Sequence, residues 1–185
     1  MKTKDIELYF NDFFEKEKLD KNKKYLLAVS GGVDSMVLLN LFQVFNFKFS
    51  VCSCNFLLRS EESDDDILLV KTVCDKNKIK FYKKSFETKS YSKENNISIQ
   101  MASRELRYEW FNQLSKKNKY DFIVTAHHRD DNIETILFNF IKTTGYKGIL
   151  GIQKKLKNLI RPLLDLDKKD LISYAKNKKL SWRDD

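Results

Sequence analysis

A chain of 185 residues is long enough for one well-buried domain and too short for two ordinary ones. Hydrophobic residues make up 42% of it, including 14 phenylalanines, which supplies a core and excludes a globally disordered protein. No apolar run approaches the roughly 18 residues of a membrane span, and the charged first residues exclude a secretory signal. We therefore expect a cytoplasmic protein with no membrane partner.

The cysteines and the net charge narrow the function classes further. Cys52, Cys54 and Cys74 are odd in number and form no Cys-x-x-Cys pair, which argues against a disulfide framework and gives no support for a zinc or iron–sulfur site. The formal charge of +9 permits an RNA partner, because phosphate neutralisation drives much of such binding. A compositional bias towards lysine explains the same charge, so both readings stay open.

Strand and helix patterns alternate along the chain. In chain order they predict strand 25–30, helix 34–45, strand 47–54, helix 61–77, strand 79–83, helix 101–115, strand 122–126, helix 131–141, strand 159–164 and helix 167–177. Asp167 is expected to cap the last helix, and the polar segment 89–96 is predicted to be an exposed loop. This alternation predicts an α/β protein with a Rossmann-like, parallel five-stranded sheet, helices on both faces, and a ligand at the carboxyl ends of the strands.

The segment SGGVDS, residues 30–35, lies between the first predicted strand and helix. Glycines allow a sharp turn there, and backbone N–H groups with two serine hydroxyls at a helix N-terminus form an anion site. A Walker A loop is excluded because its lysine is missing. An ordinary strand-to-helix connection is the alternative.

This hexapeptide resembles the signature of the N-type ATP pyrophosphatases, which cleave ATP to AMP and pyrophosphate while adenylating a substrate. The resemblance implies that Ser30, Gly31, Gly32 and Ser35 contact the phosphates of ATP. It also implies that Asp34 acts near the α-phosphate and binds Mg²⁺. Magnesium is expected chemically too, since it prefers oxygen ligands and bridges phosphates.

Residues 125–135, TAHHRDDNIET, resemble the motif HHxDDxxET of the tRNA(Ile)-lysidine synthetases. Asp131 and Glu134 share one face of a predicted helix, and the resemblance implies that they recognise L-lysine. It places His127 and His128 on the ATP side, with Asp130 supporting that pocket. A metal site or a merely acidic helix N-terminus are the alternatives.

Residues 100–108, QMASRELRY, resemble the same family's QxxARxxRY segment. Arg104 and Arg107 lie three residues apart and therefore share a helical face. The resemblance makes Arg104 the candidate for stabilising charge on the α-phosphate, and a solvated basic face is the alternative.

Other segments agree with the family less completely. After the second predicted strand, Asn55 and Arg59 match, whereas Ser53 and Phe56 stand where the pattern usually carries histidines. Residues 145–152 and 160–164 match, but 142–145 read KTTG instead of RGTG. Arg161 is left with two interpretations, a phosphate contact or a surface ion pair.

The resemblance spans about residues 24–185 and implies a single catalytic domain, 1–185, truncated before C-terminal tRNA-binding domains. The implied reaction is ATP-dependent ligation of L-lysine to C2 of the wobble cytidine of tRNA(Ile) with a CAU anticodon. It passes through an adenylated cytidine and releases AMP and pyrophosphate, with Asp34, Arg104 and Asp131 as catalytic residues. A homodimer is compatible with it. The alternatives are another adenylating enzyme, such as a tRNA thiolase or an amidating synthetase, and a non-catalytic nucleotide- or RNA-binding module.

Overall fold

The computed structural model describes residues 3–58, 62–141 and 151–183. Three features singled out in the sequence lie outside these ranges: Arg59, the segment 142–150 and residues 184–185. The described elements, in chain order, are α1 (Thr3–Lys16), β1 (Lys24–Ala28), α2 (Val33–Val44), β2 (Lys48–Asn55), α3 (Glu62–Lys76), β3 (Phe81–Ser85), α4 (Thr88–Glu94), α5 (Ile99–Asn118), β4 (Phe122–Val124), α6 (Arg129–Ile141), β5 (Lys155–Leu156), β6 (Leu159–Ile160) and α7 (Lys168–Asn177).

The strands form one sheet in the order β3-β2-β1-β4-β6-β5. All neighbours are parallel except β5, which runs antiparallel to β6. The chain fills one half of the sheet from β1 outwards and then crosses to the other half at β4. The carboxyl ends of β1 and β4 therefore flank the point where the strand order reverses, which is where open α/β sheets bind their ligands.

The α/β class and the parallel core of the sheet are confirmed, but the predicted five strands are six in the described residues. The additional strand β5 is two exposed residues long, too short to show an alternating pattern, and it joins β6 through a tight turn at Lys157, whose φ is 54°. The last predicted strand also ends earlier, at Ile160. Pro162 lacks an N–H for a sheet, and the backbone turns there with Leu164 N–H donating to Arg161 O at 3.3 Å.

Two helices were not foreseen. The segment predicted to be an exposed loop contains α4, which buries the small polar residues Thr88 and Ser92, so it shows no apolar period. The Ser92 hydroxyl donates to Ile97 O at 2.6 Å and holds the turn into α5. The first helix, α1, has an apolar face that packs into the core, consisting of Ile6, Phe10, Phe13 and Phe14.

Helices cover both faces of the sheet, as predicted. Successive residues of β1 point to opposite faces, so Leu27 joins one core and Leu26 the other. The larger core holds the buried faces of α1, α2 and α7, and the smaller one holds Trp110 and Phe111 of α5. This covering fixes the strand ends, and with them the loops that carry the candidate site.

The N-terminus of α7 differs in detail from the prediction. Asp167 occupies the cap position but makes no side-chain capping bond. Its carboxylate instead accepts a hydrogen bond from Arg129 at 2.8 Å, which joins α7 to the start of α6. Within the described ranges, no helix has the length and apolar character needed to cross a membrane.

Candidate active site

A cavity of about 570 Å³ opens at the carboxyl ends of β1, β2 and β4. Its position agrees with the expectation for a sheet of this topology. The lining residues are Ala28, Val29, Ser30, Gly32, Asp34, Ser35, Cys52, Cys54, Phe56, Leu58, Asp66, Ile67, Arg107, Tyr108, Phe111, Thr125, Ala126, His127 and Asp131. One side is therefore rich in hydroxyl, carboxylate and imidazole groups, and the other is apolar and aromatic.

The loop between β1 and α2 folds around the hydroxyl of Ser35. That oxygen accepts hydrogen bonds from the N–H groups of Ser30 and Gly31, both at 3.2 Å, and donates to Gly32 O at 2.8 Å. Gly31 has a φ of 102°, and a Cβ there would lie 3.2 Å from the carbonyl oxygen of Asp66. The turn thus requires glycine on two counts, and it places the positive N-terminal end of α2, a position that suits an anion, beside the cavity.

His128 joins the phosphate-loop helix to α6. It is 5% exposed, and its Nε2 lies 3.4 Å from Asp34 Oδ2 and 3.6 Å from Asp131 Oδ2. Its backbone N–H also donates to Asp131 Oδ2 at 2.8 Å. Burial, the largest influence, lowers the pKa of His128, but the hydrogen bond with Asp34 and the neighbouring carboxylates outweigh it and the pKa is raised. The His128 ring therefore contacts carboxylates from both halves of the site.

His127 has the opposite electrostatic environment. Its Nδ1 lies 2.8 Å from the hydroxyl of Thr125, and the ring lines the cavity. Burial and then the charge of Arg161, with smaller contributions from Arg104 and Arg107, lower the pKa of His127 to about 4. The imidazole is consequently neutral at ordinary pH and can serve as a hydrogen-bonding group.

The two arginines of α5 occupy different positions. Arg107 lines the cavity, with its guanidinium 5.0 Å from the centre of the Phe56 ring. Arg104 is exposed, is not among the lining residues, and lies 5.1 Å from the centre of the Tyr108 ring. Arg107 was recognised in the sequence only as the partner of Arg104 on one helical face, and that shared face was the available signal.

Arg161 is buried and does not form the surface ion pair considered for it. The side chain is 4% exposed, and its Nη1 donates to Gln153 O at 2.6 Å. Its buried Nε has no hydrogen-bond partner among the described residues. A buried cation thus lies close enough to His127 to lower its pKa.

The structure brings together some of the residues singled out in the sequence and separates others. Those around the cavity are Ser30, Gly32, Asp34, Ser35, His127 and Asp131. Gly31 and His128 do not line the cavity but contact residues that do, Ser35 and Asp34 respectively. Glu134 on α6 is exposed and does not line the cavity. Asp66 was missed, because in the sequence it is one of several carboxylates at a helix N-terminus.

The two departures from the family pattern have separate surroundings. Ser53 is 2% exposed and donates a hydrogen bond to Val29 O at 2.6 Å, where β1 leads into the phosphate loop. Phe56 lines the cavity and stacks on Phe86, with ring centres 5.6 Å apart and planes at 19°. The matching Asn55 is structural, since its amide donates to Asp64 and its oxygen accepts from the N–H of Leu57.

Asp34 has the chemistry of a magnesium ligand. Its Oδ1 is buried and has no hydrogen-bond partner in the described part of the chain. Within that part, no three His, Cys, Asp or Glu residues are grouped as a protein-only metal site. Mg²⁺ usually takes one or two carboxylates together with phosphates and waters, so a single free carboxylate oxygen beside a phosphate loop fits it.

Curated proteins of one kind are similar to this chain. A tRNA(Ile)-lysidine synthase of Bacteroides thetaiotaomicron is 41% identical over 163 residues, which cover 88% of this chain and 38% of that protein. The tRNA(Ile)-lysidine synthase of Chlorobaculum tepidum is 42% identical over 164 residues, covering 86% of this chain and 50% of that protein. The chain therefore spans half or less of the length of these two curated relatives.

Solved structures share the fold at low identity. The U34-tRNA thiolase NcsA from Methanococcus maripaludis, solved with its [4Fe-4S] cluster, has a TM-score of 0.81 at 19% identity, covering 97% of this chain and 65% of its own. The NH3-dependent NAD synthetase from Campylobacter jejuni has a TM-score of 0.65 at 17% identity, covering 97% and 75%. The family model of the PP-loop domain matches residues 2–185. With its phosphate loop and cavity at the carboxyl ends of β1 and β4, the chain belongs to the PP-loop domain family of ATP-using proteins.

Proposed function

We propose that this domain catalyses the ATP-dependent ligation of L-lysine to C2 of the wobble cytidine of tRNA(Ile) with a CAU anticodon. One observation carries the proposal: the phosphate loop and the carboxylate of Asp131 lie in the same cavity, joined by His128. An anion site for ATP and a carboxylate for an amine are thereby held next to each other. The lysidine synthase relatives at about two-fifths identity support the same reaction.

The first step requires ATP to be positioned for attack on its α-phosphorus. Ser30, Gly32 and Ser35 bind the phosphates, and the O2 of the cytidine attacks, so that pyrophosphate leaves. Arg107 lines the cavity and stabilises the charge that develops there, and the exposed Arg104 on the same helix adds positive potential. The protein contributes position and charge, which is where most of the acceleration in such reactions arises.

The second step joins lysine to the activated base. The ε-amine attacks C2 and AMP leaves, so the carbon–nitrogen bond forms as the carbon–oxygen bond to the phosphate breaks. Asp131 holds the ammonium group and accepts its proton, because the amine must be neutral to attack. Glu134 lies one helical turn away and assists from the exposed side of α6. Neutral His127 lines the ATP side.

Asp34 would hold Mg²⁺ through its free Oδ1. The ion would supply positive charge that neutralises charge on the leaving pyrophosphate. His128 Nε2 lies 3.4 Å from the other oxygen of Asp34 and limits the rotation of the carboxylate.

The partners follow from the proposed reaction. tRNA(Ile) supplies the acceptor base. In a longer protein, like the relatives, additional domains would help to bind this tRNA. We place the reaction in the cytoplasm, where tRNA is used in translation. A homodimer is compatible with the proposed reaction. The excess of basic over acidic residues suits a polyanionic substrate.

A cysteine-dependent thiolase is the second candidate, because a tRNA thiolase shares the fold. The placement of the cysteines disfavours it here. Cys52 belongs to the core on one face of the sheet and Cys74 to the core on the other, so the three thiols cannot meet at one cluster. Burial raises the pKa of Cys54 to about 12, which also makes it a poor sulfur nucleophile.

The test measures pyrophosphate release and lysine incorporation with purified protein, ATP, Mg²⁺ and CAU-anticodon tRNA(Ile). We expect labelled L-lysine to enter the tRNA with AMP as the co-product. Adenylation without lysine transfer would contradict the proposed ligation and leave only the ATP-using family. Omitting tRNA is the matched control and should abolish pyrophosphate release.

A further inference from the structure

The segment after α7 fastens the phosphate loop to α3. The backbone N–H of Arg183 donates to Gly31 O at 3.1 Å. The guanidinium of the same residue contacts two carboxylates of α3: its Nε lies 2.9 Å from Asp66 Oδ1, and its Nη2 lies 3.3 Å from Asp65 Oδ2. Gly31 itself packs against Asp66. One arginine therefore contacts both the loop and the helix on which the loop rests.

The charge of Asp66 gives this contact a consequence for ligand binding. Asp66 lines the cavity together with the loop residues that bind phosphate. A carboxylate beside a polyphosphate repels it, and the repulsion is strongest where water is scarce. Arg183 is the cation paired with this carboxylate, at a distance typical of a charge-assisted hydrogen bond.

We expect this ion pair to affect the affinity for a charged ligand more than the stability of the fold. The side chain of Arg183 is 41% exposed, and those of Asp65 and Asp66 are 56% and 32% exposed. Pairs this exposed contribute little to folding stability. Binding of a highly charged ligand in the adjoining cavity responds more strongly, because the local charge changes by a full unit when the arginine is removed.

We infer that Arg183 is a positioning residue for ATP: its guanidinium holds Asp66 of α3 against Gly31 of the phosphate loop and offsets the charge of Asp66 in the cavity. The inference deepens the proposed function and rests on its use of ATP. It assigns Arg183 no contact with the reacting atoms.

The experiment measures the Kd of a non-hydrolysable ATP analogue, with Mg²⁺, by calorimetry on the wild type and on Arg183→Met. We expect the Kd to rise about tenfold in Arg183→Met with a melting temperature close to that of the wild type. Arg183→Lys should fall between the two, because lysine keeps the charge but lacks the planar fork that reaches two carboxylates. The salt dependence of the Kd should also become shallower in Arg183→Met, because salt then screens a repulsion by Asp66 as well as the attraction by the basic groups.

Two further variants separate this role from a general loss of structure. Asp66→Asn added to Arg183→Met should recover most of the lost affinity, since the repelling charge is then gone. Lys178→Met removes a comparable ion pair, 2.7 Å between Lys178 and Glu7, far from the cavity, and should leave the Kd unchanged. An unchanged Kd in Arg183→Met, or a loss that Asp66→Asn does not relieve, would overturn the inference. Failure of the proposed ligation would appear differently, as analogue binding that is intact while lysine incorporation is absent.

Discussion

Replacing Asp131 by asparagine separates the two steps of the proposed reaction. Asparagine keeps an oxygen that can accept the backbone N–H of His128, which now donates to Asp131 at 2.8 Å. The substitution removes the negative charge while His128 keeps its contact with Asp34. Adenylation should therefore survive, whereas the binding of the lysine ammonium group should weaken.

The size of the effect follows from the exposure of Asp131. Its side chain is 36% exposed, so the carboxylate is neither fully solvated nor fully buried. A hydrogen bond to a charged group in such a place contributes about 1.5–3 kcal/mol. Since 1.4 kcal/mol is a factor of ten, we expect the KM for L-lysine to rise roughly 10- to 100-fold. Pyrophosphate release without lysine should change by no more than about threefold, on the order of 0.7 kcal/mol.

The assay follows pyrophosphate release and incorporation of labelled lysine in parallel, on the same preparation. Glu134→Gln is the comparison variant, because it removes the same charge from the exposed side of the same helix. It should raise the KM for lysine by about threefold, less than Asp131→Asn, because an exposed charge interacts weakly. Equal loss of both steps in Asp131→Asn would refute the reasoning and show that the carboxylate serves ATP through His128.

Three other substitutions test the loop, the electrostatics and the core. Gly31→Ala should raise the KM for ATP more than tenfold, on the order of 1.4 kcal/mol or more, because the φ of 102° and the contact with Asp66 both oppose a Cβ. Steady-state pyrophosphate release measures this KM, and an unchanged KM would contradict the prediction. His127 has a folded-state pKa of about 4, below its ordinary 6.5, so the unfolded chain binds more protons and the free energy of unfolding falls as the pH drops through this window. Denaturant titrations should show a smaller fall in His127→Gln, with a difference on the order of 3 kcal/mol at most. Phe10→Ala, in the fully buried face of α1, should lower the free energy of unfolding by about 3–5 kcal/mol in the same titrations, and a change below 1 kcal/mol would show that α1 is not part of the core.

The fold could be predicted from the sequence wherever a pattern was long and periodic. The loop at residues 30–35 was placed between its strand and helix because glycine, serine and a following apolar helix are local signals. α4 was missed because it buries Thr88 and Ser92, which are polar in the sequence and satisfied in the structure. β5 was missed because a two-residue strand exists only through its pairing with β6.

The candidate site could be predicted in outline but not in its contacts. Asp34, His127 and Asp131 were found because they stand in recognisable motifs after predicted strands. The distance between His128 and Asp34 depends on the pairing of β1 with β4, which no local pattern encodes. Arg183 could not be linked to the phosphate loop either, since that contact joins residues from opposite ends of the domain.

The central place of β1 in the sheet has a consequence for how the protein is made. β1 pairs with β2, which follows it directly, and with β4, which comes only after three more helices and another strand. During synthesis the phosphate loop is therefore complete long before the helix that carries Asp131 exists. Closing the gap between them is a long-range step that costs more loop-closure entropy than the pairing of β1 with β2. The two sides of the cavity should consequently come together only late in folding, and a nascent chain that stops before β4 carries the phosphate loop without Asp131.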